Sequence, residues 1–136
     1  MKSPLREYMK GLYLGIDTFK FLSSNCEYGE IRDLLTSTEK LYIEQKLRCE
    51  KKLEELGSKV PYSAGIKSRF SETVYELKNS LKKGGEAKLK DKAKEVLLAS
   101  IKVSEEFLLE DDINDDIKEF IKVMIMEYKD KINEYN

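Results

Sequence analysis

Apolar residues recur at spacings of three and four along almost the whole chain, and this periodicity restricts the fold more than any other feature. Such spacing places side chains on one face of an α-helix, whereas a half-buried strand alternates at every second residue. The pattern therefore predicts amphipathic helices throughout, and no stretch of the sequence favours a strand. In the longest segment one phase continues for about seven turns, through Ile31, Leu35, Thr38, Tyr42, Gln45, Cys49, Leu53 and Leu56.

Four further segments share this periodicity. The first begins at Ser3-Pro4, where the serine can cap a helix and the proline suits its first position. It is predicted to end near Asn25. The predicted inward residues of the first segment are Leu5, Met9, Leu12, Ile16 and Phe19, and those of the third are Ile66, Phe70, Val74, Leu77 and Leu81. In the fourth segment they are Leu89, Ala93, Val96, Ser100, Val103 and Phe107. In the fifth they are Ile117, Phe120, Ile121, Met124, Tyr128, Ile132 and Tyr135.

Glycine and capping residues predict where these helices end. Gly57 stands where a glycine often terminates a helix, and Gly84-Gly85 separates the third segment from the fourth. The fourth segment is predicted to span 86–110. Asp112, Asn114 and Asp116 have part of the spacing of a calcium-binding loop, but its turn glycine and twelfth-position glutamate are missing. These residues are therefore interpreted as helix caps, with Asn114 or Asp112 as the N-cap.

The segments assemble into one predicted domain, 1–136, with a hairpin over 3–57, a crossover over 58–85 and a second hairpin over 86–136. Short turns near Gly29 and Asn114 make each hairpin antiparallel. The third segment, of about 18 residues, would be about 27 Å long as a helix, enough to return along a bundle. The predicted fold class is all-α, an antiparallel four-helix bundle with a shorter crossover helix.

This order of elements resembles the ferritin-like superfamily, and within it a small bacterial family of uncharacterised four-helix-bundle proteins of about this length. The shared pattern is a hairpin ending in Leu-Gly, a Ser-x-Gly connector, a short amphipathic helix, a Gly-Gly break and a second hairpin. It appears here as Glu55-Leu56-Gly57, Ser63-Ala64-Gly65, Glu76-Leu77-Lys78, Gly84-Gly85 and the stretch from Ile113 to Lys118. The resemblance implies a ferritin-like topology, and it does not by itself assign an activity.

The usual ferritin-like di-iron site requires a glutamate from each of two helices and Glu-x-x-His from the other two. The chain contains no histidine, so both Glu-x-x-His motifs are absent. The nearest remnant is a Glu-x-x-Asp formed by Glu127 and Asp130. Glu39 and Glu127 lie about 80° from the centres of their apolar stripes, and other helix carboxylates lie farther out. Glu39, Glu127 and Asp130 are weak metal candidates, and we expect no di-iron site and no cofactor.

The absence of histidine also excludes Ser-His-Asp and Cys-His catalysis. Polar residues at inward positions are the other features to inspect, namely Thr38, Tyr42, Gln45 and Ser100. Gln45 could serve as a buried hydrogen-bonding residue, or it could belong to a small polar cavity with the other three. No catalytic constellation follows from these residues, so we expect a protein that is not an enzyme.

The charge is balanced overall, with 25 Lys and Arg against 26 Asp and Glu, but it is separated along the chain. Residues 78–94 carry seven lysines against two acids, a local net of +5, whereas 105–119 carry eight acids against one lysine, a local net of -7. Both signs oppose the dipole of the fourth helix. The lysine-rich stretch lacks arginine and interleaved aromatic residues, so no nucleic-acid partner is expected.

The N-terminal stretch lacks a secretory signal pattern, and no apolar run is long enough to span a membrane. Cys26 and Cys49 would lie about 30 Å apart along a helix, too far for a disulfide. We therefore expect a cytoplasmic protein with reduced thiols. The leading hypothesis is a non-catalytic structural or protein-interaction module with a protein partner or self-association, including head-to-tail contact between charged ends. The alternative is a degenerate metal- or small-ligand-binding relative that uses carboxylates.

Overall fold

A computed structural model describes residues 4–61 and 86–136. It contains the helices α1 (Pro4–Ser24), α2 (Gly29–Glu55), α3 (Glu86–Phe107) and α4 (Asp115–Glu134). The described residues contain no strand, which confirms the all-α prediction. The predicted N-cap Ser3 and residues 62–85 of the predicted crossover lie outside the described residues.

A glycine ends α2 as the sequence predicts. Gly57 has a φ of +70°, in the left-handed region that favours glycine. Its N–H donates to the carbonyl of Glu54 at 3.0 Å, and the Ser58 N–H donates to that of Leu53 at 2.9 Å. This pair of bonds is the Schellman motif. The inward position predicted for Leu56 is wrong, because this cap residue lies beyond the last helical turn and is 50% exposed.

The turn between α3 and α4 is set by a side-chain cap. Asn114 Oδ1 accepts a hydrogen bond from the Ile117 N–H at 2.9 Å, so Asn114, and not Asp112, caps α4. The α3 helix ends at Phe107, earlier than the predicted end at Glu110, which lies in the turn. The hairpin predicted around this turn is therefore formed by a slightly shorter helix.

The core lies where the apolar stripes of the four helices meet. Nearly all of the inward residues predicted within the described helices are buried, and Ile16, Val103, Phe120 and Ile132 are half-buried. The α1 helix is covered on most of its circumference, because its only exposed residues are Glu7, Asp17, Lys20 and Ser24. No helix in 4–61 or 86–136 combines the length and apolar character needed to cross a bilayer.

Glycine allows α1 and α2 to pack closely. The Tyr42 ring of α2 lies directly against Gly15 of α1, and an added Cβ at that position would overlap the ring. The same ring stacks on Phe19, with centroids 5.5 Å apart. Gly15 therefore provides the space in which a tyrosine reaches the centre of the bundle.

Two interhelical contacts define the direction of α3. Tyr8, near the start of α1, contacts Ser104 of α3, whereas Tyr42, packed beside Gly15, contacts the earlier residue Ser100. Later residues of α1 therefore lie beside earlier residues of α3, so these two helices are antiparallel. Because α1 and α2 form a hairpin, α2 and α3 run in the same direction. The end of α2 and the start of α3 consequently lie at opposite ends of the bundle.

The segment after α2 is held against α1. Arg6 Nε donates to the carbonyl of Lys59 at 3.2 Å, and the Tyr13 hydroxyl donates to the carbonyl of Pro61 at 2.8 Å. Pro61 is buried. Arg6 and Tyr13 are seven residues apart, so they lie on the same face of α1. The chain therefore leaves the first hairpin along α1.

Candidate polar site in the bundle core

Tyrosine and serine side chains from three helices pair at the centre of the bundle. The hydroxyls of Tyr8 and Ser104 are 2.7 Å apart, and those of Tyr42 and Ser100 are 2.5 Å apart. The Ser100 and Ser104 hydroxyls also donate to backbone carbonyls one turn earlier in α3. Either hydroxyl of each tyrosine–serine pair can be the donor, and the tyrosine donates where the serine proton is directed to its carbonyl. We call these four residues, together with Tyr128, the hydroxyl layer.

Tyr128 brings α4 into the hydroxyl layer. Its ring centroid lies 5.5 Å from that of Tyr42, at an interplanar angle of 39°. Its phenol lies close enough to that of Tyr8 for each group to affect the pKa of the other. The layer therefore contains a side chain from each of the four described helices. Buried polar groups that are fully paired in this way specify which helices pack together.

Burial keeps the hydroxyl layer uncharged. Loss of contact with water raises the pKa of Tyr8, Tyr42 and Tyr128 above that of a free phenol. Burial also raises the pKa of the nearby Cys49 thiol to about 12, although Arg48 partly opposes this shift. A thiol with such a pKa is protonated at neutral pH and is a poor nucleophile.

A small space, partly open to solvent, lies against the hydroxyl layer. Its volume is about 10 Å³, which is at most the room needed by one water molecule. It is bordered by Tyr8, Gly11, Leu12, Tyr42, Ser100, Val103 and Tyr128. Tyr42 and Ser100 border this space, but Thr38 and Gln45 do not, so Gln45 does not share a polar cavity there with the other three residues.

Thr38 belongs to a separate contact near the end of α4. The hydroxyls of Thr38 and Tyr135 are 2.7 Å apart, and that of Thr38 donates to the carbonyl of Leu34 at 2.8 Å. Tyr135 is the C-cap residue of α4. Burial raises the pKa of its phenol. This contact connects the C-terminal end of α4 to α2, away from the hydroxyl layer.

Gln45 belongs to a third group, which we call the charged cluster and which also contains Arg48 and Glu127. One carboxylate oxygen of Glu127 accepts from Arg48 Nη2 at 2.6 Å and from Gln45 Nε2 at 3.2 Å. Gln45 is fully buried, and its Oε1 has no hydrogen-bond partner within the described part of the chain. The structure thus places Gln45 as a bonded residue between α2 and α4.

The weak metal candidates do not converge with other carboxylates. Glu127 is paired with Arg48, Glu39 is half-buried on α2, and Asp130 is exposed on α4. Across residues 4–61 and 86–136, no three cysteine, aspartate or glutamate side chains lie close enough together to hold a metal ion. The arrangement of Glu127 is that of an ion pair between helices.

The start of α4, in the acidic stretch 105–119, contacts the end of α2. Lys52 Nζ lies 2.6 Å from Asp116 Oδ2 and 5.8 Å from the centroid of the Phe120 ring. The hydrogen bond that Lys52 donates to Asp116 is the main reason that the pKa of Lys52 is raised. Together with the Asn114 cap, this pair links the end of α2 to the start of α4.

Several residues of the polar core were not predicted from the sequence. Ser104 lies four residues after Ser100 and shares its face, so its position carried a usable signal. Tyr8 lies one residue outside the predicted stripe of α1. Arg48 follows Gln45 by three residues, but nothing in the sequence specifies that both reach Glu127 on α4. That contact depends on the tertiary arrangement.

Comparison with known proteins gives no relative for this chain. No protein-family model matches the sequence, and neither a curated protein nor a solved structure matches it. What the site can do follows from its geometry. In the described residues, the hydroxyl layer provides neutral hydroxyls and room for one water molecule, and the nearby Cys49 thiol is protonated. The Glu127 carboxylate is already paired with Arg48.

Proposed function

We propose that this protein is a non-catalytic ferritin-like helical bundle that acts as a structural or protein-interaction module. The hydroxyl layer carries the proposal, because its tyrosines and serines are bonded to one another and leave a space of only about 10 Å³. A substrate-binding pocket is typically several hundred Å³. The interior is therefore suited to holding helices together, and the molecular surface is where a partner would bind.

The direction of the helices supports the ferritin-like part of the proposal. The α2 and α3 helices run in the same direction, so a connection between the two hairpins has to cover the length of the bundle. Arg6 and Tyr13 direct the segment after α2 along α1, which is consistent with such a crossover. A cytoplasmic location is consistent with the two buried, unpaired cysteines Cys26 and Cys49.

The alternative, a small metal- or ligand-binding site that uses carboxylates, is favoured by one observation. Gln45 Oε1 is buried without a partner in the described residues, beside the carboxylate of Glu127. An unpaired buried oxygen is costly and can indicate a missing ligand or water. Arg48 argues against a cation at this point, because its guanidinium already lies 2.6 Å from the Glu127 carboxylate.

Metal analysis separates the two proposals. Protein purified without oxygen is incubated with excess ferrous iron or manganese, desalted and measured by elemental analysis. We expect less than one metal ion in ten protein molecules, and the same value for Glu127→Gln and for the control Glu119→Gln on the exposed surface of α4. Stoichiometric metal that is lost in Glu127→Gln but kept in Glu119→Gln would establish the alternative. Turnover of any redox or hydrolytic substrate by metal-free protein would refute the non-catalytic proposal.

A further inference from the structure

The outer face of α3 carries an ordered row of charged and apolar side chains. Asp91, Glu95, Leu98, Lys102 and Glu105 follow one another at spacings of four and three, so they form a single stripe. Leu98 is 56% exposed. Lys102 and Glu105 form no ion pair with any side chain in the described part of the chain. The stripe is therefore a helix face with no partner among the described residues.

The charge along α3 opposes its own dipole. Four lysines, Lys88, Lys90, Lys92 and Lys94, lie in its first half, whereas its last turn contains Glu105 and Glu106. Cations near an N-terminus and anions near a C-terminus destabilise an isolated helix. A second helix that packs in the opposite direction would place anions beside these lysines and lysines beside these anions. On the Leu98 face, an antiparallel second copy would bring its Glu105 near Lys94 of the first copy, and the reverse.

We propose that two copies of this protein pair through the outer faces of their α3 helices, antiparallel and about a twofold axis near Leu98. A twofold interface is isologous, so each residue meets a partner at the same distance on the other side of the axis. Glu95 lies three residues before Leu98, and Lys102 lies four residues after it. Both lie about 50° to the same side of Leu98 on the helix. Glu95 of one copy therefore faces Lys102 of the second copy, and the pair occurs twice.

The opposite flank of the stripe is complementary as well. Lys94 and Glu105 lie about 30° to the other side of Leu98. Across the same axis their heights differ by three residues, about 4.5 Å, which is within the reach of a lysine side chain. Lys94 currently donates to Asn136 Oδ1 at 3.1 Å, a contact that leaves its ammonium two further protons. Leu98 meets Leu98 of the second copy on the axis, so apolar contact is flanked by opposite charges on both sides.

The ends of the stripe limit the strength of this dimer. Asp91 falls near Glu105 of the second copy, which is a like-charge contact. One helix face buries less surface than stable interfaces require, so the dimer is weak and its charge contacts are screened by salt.

Charge reversal across the axis tests the pairing by sedimentation equilibrium of the full chain at low ionic strength. Glu95→Lys and Lys102→Glu should each weaken dimerisation by about tenfold, because each creates two like-charge contacts. The double variant should restore affinity to within about threefold of the natural protein, since the contacts are re-formed with exchanged signs. Asp91→Lys should tighten the dimer. A salt-independent monomer, or a double variant as weak as its parents, would overturn the proposal.

The chain offers a matched control for these variants. Glu95 forms an exposed ion pair with Lys92 at 3.2 Å on α3, and Glu119 forms one with Lys122 at the same distance on α4. Glu119→Lys should therefore break an equivalent intrahelical pair without changing dimerisation. An equal loss in Glu119→Lys and Glu95→Lys would mean that overall charge, and not this interface, controls association, and it would overturn the assignment.

Cross-linking gives a second and independent measurement. Leu98→Cys places a thiol at the axis, so mild oxidation should convert most of the protein to a disulfide-linked dimer. Met126→Cys, at a similarly exposed position on α4, should remain mainly monomeric. Cys26 and Cys49 are buried and do not compete. Equal cross-linking at both positions would contradict the proposal. The dimer rests on the proposed interaction role, but its failure leaves the metal and turnover results unchanged, so the two proposals fail separately.

Discussion

The hydroxyl layer and the charged cluster differ in how completely their buried polar atoms are hydrogen-bonded. Both place polar side chains in the interior between helices. In the hydroxyl layer Tyr8 and Tyr42 are each hydrogen-bonded to a serine whose hydroxyl also donates to a backbone carbonyl. In the charged cluster one carboxylate oxygen of Glu127 accepts two donors, while Gln45 Oε1 accepts none from the described residues.

This difference indicates how the two regions contribute to the fold. A buried polar group contributes little net stability when it is paired, but it is costly when its partner is lost. Every member of the hydroxyl layer is therefore sensitive to substitution. The charged cluster is half-exposed at Arg48 and Glu127, so solvent weakens its ion pair. We expect the layer to be required for stability and the cluster to contain a residue whose replacement stabilises the protein.

Alkaline pH should lower the free energy of unfolding by acting on the buried tyrosines and not on the charged cluster, and this is the largest effect expected. Burial raises the pKa of Tyr8, Tyr42, Tyr128 and Tyr135 in the folded state, whereas the phenols of an unfolded chain titrate near pH 10. Below that pH these groups contribute their full stability, and above it the unfolded state gains by releasing protons. The four groups should together cost about 5 kcal/mol by about pH 11.

This loss is measured as denaturant unfolding at increasing pH. Phenolate absorbance of the buried tyrosines and loss of helical circular dichroism should change in one cooperative step. Ionisation of all the tyrosines while the helices remain intact would show that the hydroxyl layer is accessible to solvent, in contradiction to its burial. The variant Tyr135→Phe removes one of the four phenols and should reduce the tyrosine contribution to the loss by about a quarter.

The packing that admits Tyr42 to the hydroxyl layer should give the next largest effect. Gly15→Ala adds a Cβ that overlaps the Tyr42 ring, which is itself confined by Phe19 and Tyr128. We expect a net loss of about 2 to 3 kcal/mol in the free energy of unfolding, despite the better helix propensity of alanine. Gly29→Ala is the control, because nothing lies within 4 Å of its added Cβ. Equal stabilities for the two variants would show that the ring has room to move.

Removal of one serine tests the pairing within the hydroxyl layer. Ser100→Ala leaves the Tyr42 hydroxyl buried without its acceptor and should cost about 1 to 3 kcal/mol. Tyr42→Phe in the same background removes the unpaired group, so the double variant should lose less than the sum of the single losses. Ser23→Ala is the control, because the Ser23 hydroxyl bonds only within its own helix. Additive losses in the cycle would refute the paired arrangement.

The sequence predicts which residues of both regions face the core, but not which of them contact one another. Periodicity identified the four helices, and it selected Thr38, Tyr42, Gln45 and Ser100 as inward positions, all of which are buried. Each of those inferences depends only on spacing along one helix. Which of these side chains meet depends on how far the helices are rotated and shifted against one another. The sequence therefore could not specify that Tyr42 pairs with Ser100, or that Gln45 lies beside Glu127.

Gln45→Met should give the smallest change, and one of opposite sign. Methionine nearly matches glutamine in length and volume, and it removes a buried oxygen that has no partner in the described residues. Glu127 keeps Arg48, its charged partner, so no new unpaired charge is created. We expect the free energy of unfolding to rise by about 0.5 to 1 kcal/mol, measured by chemical denaturation. Gln45→Glu is the opposing control and should destabilise, because it places a second carboxylate beside Glu127. If Gln45→Met destabilises the protein by as much as Ser100→Ala, then Gln45 Oε1 accepts a hydrogen bond from water or another group, and both regions are equally well paired.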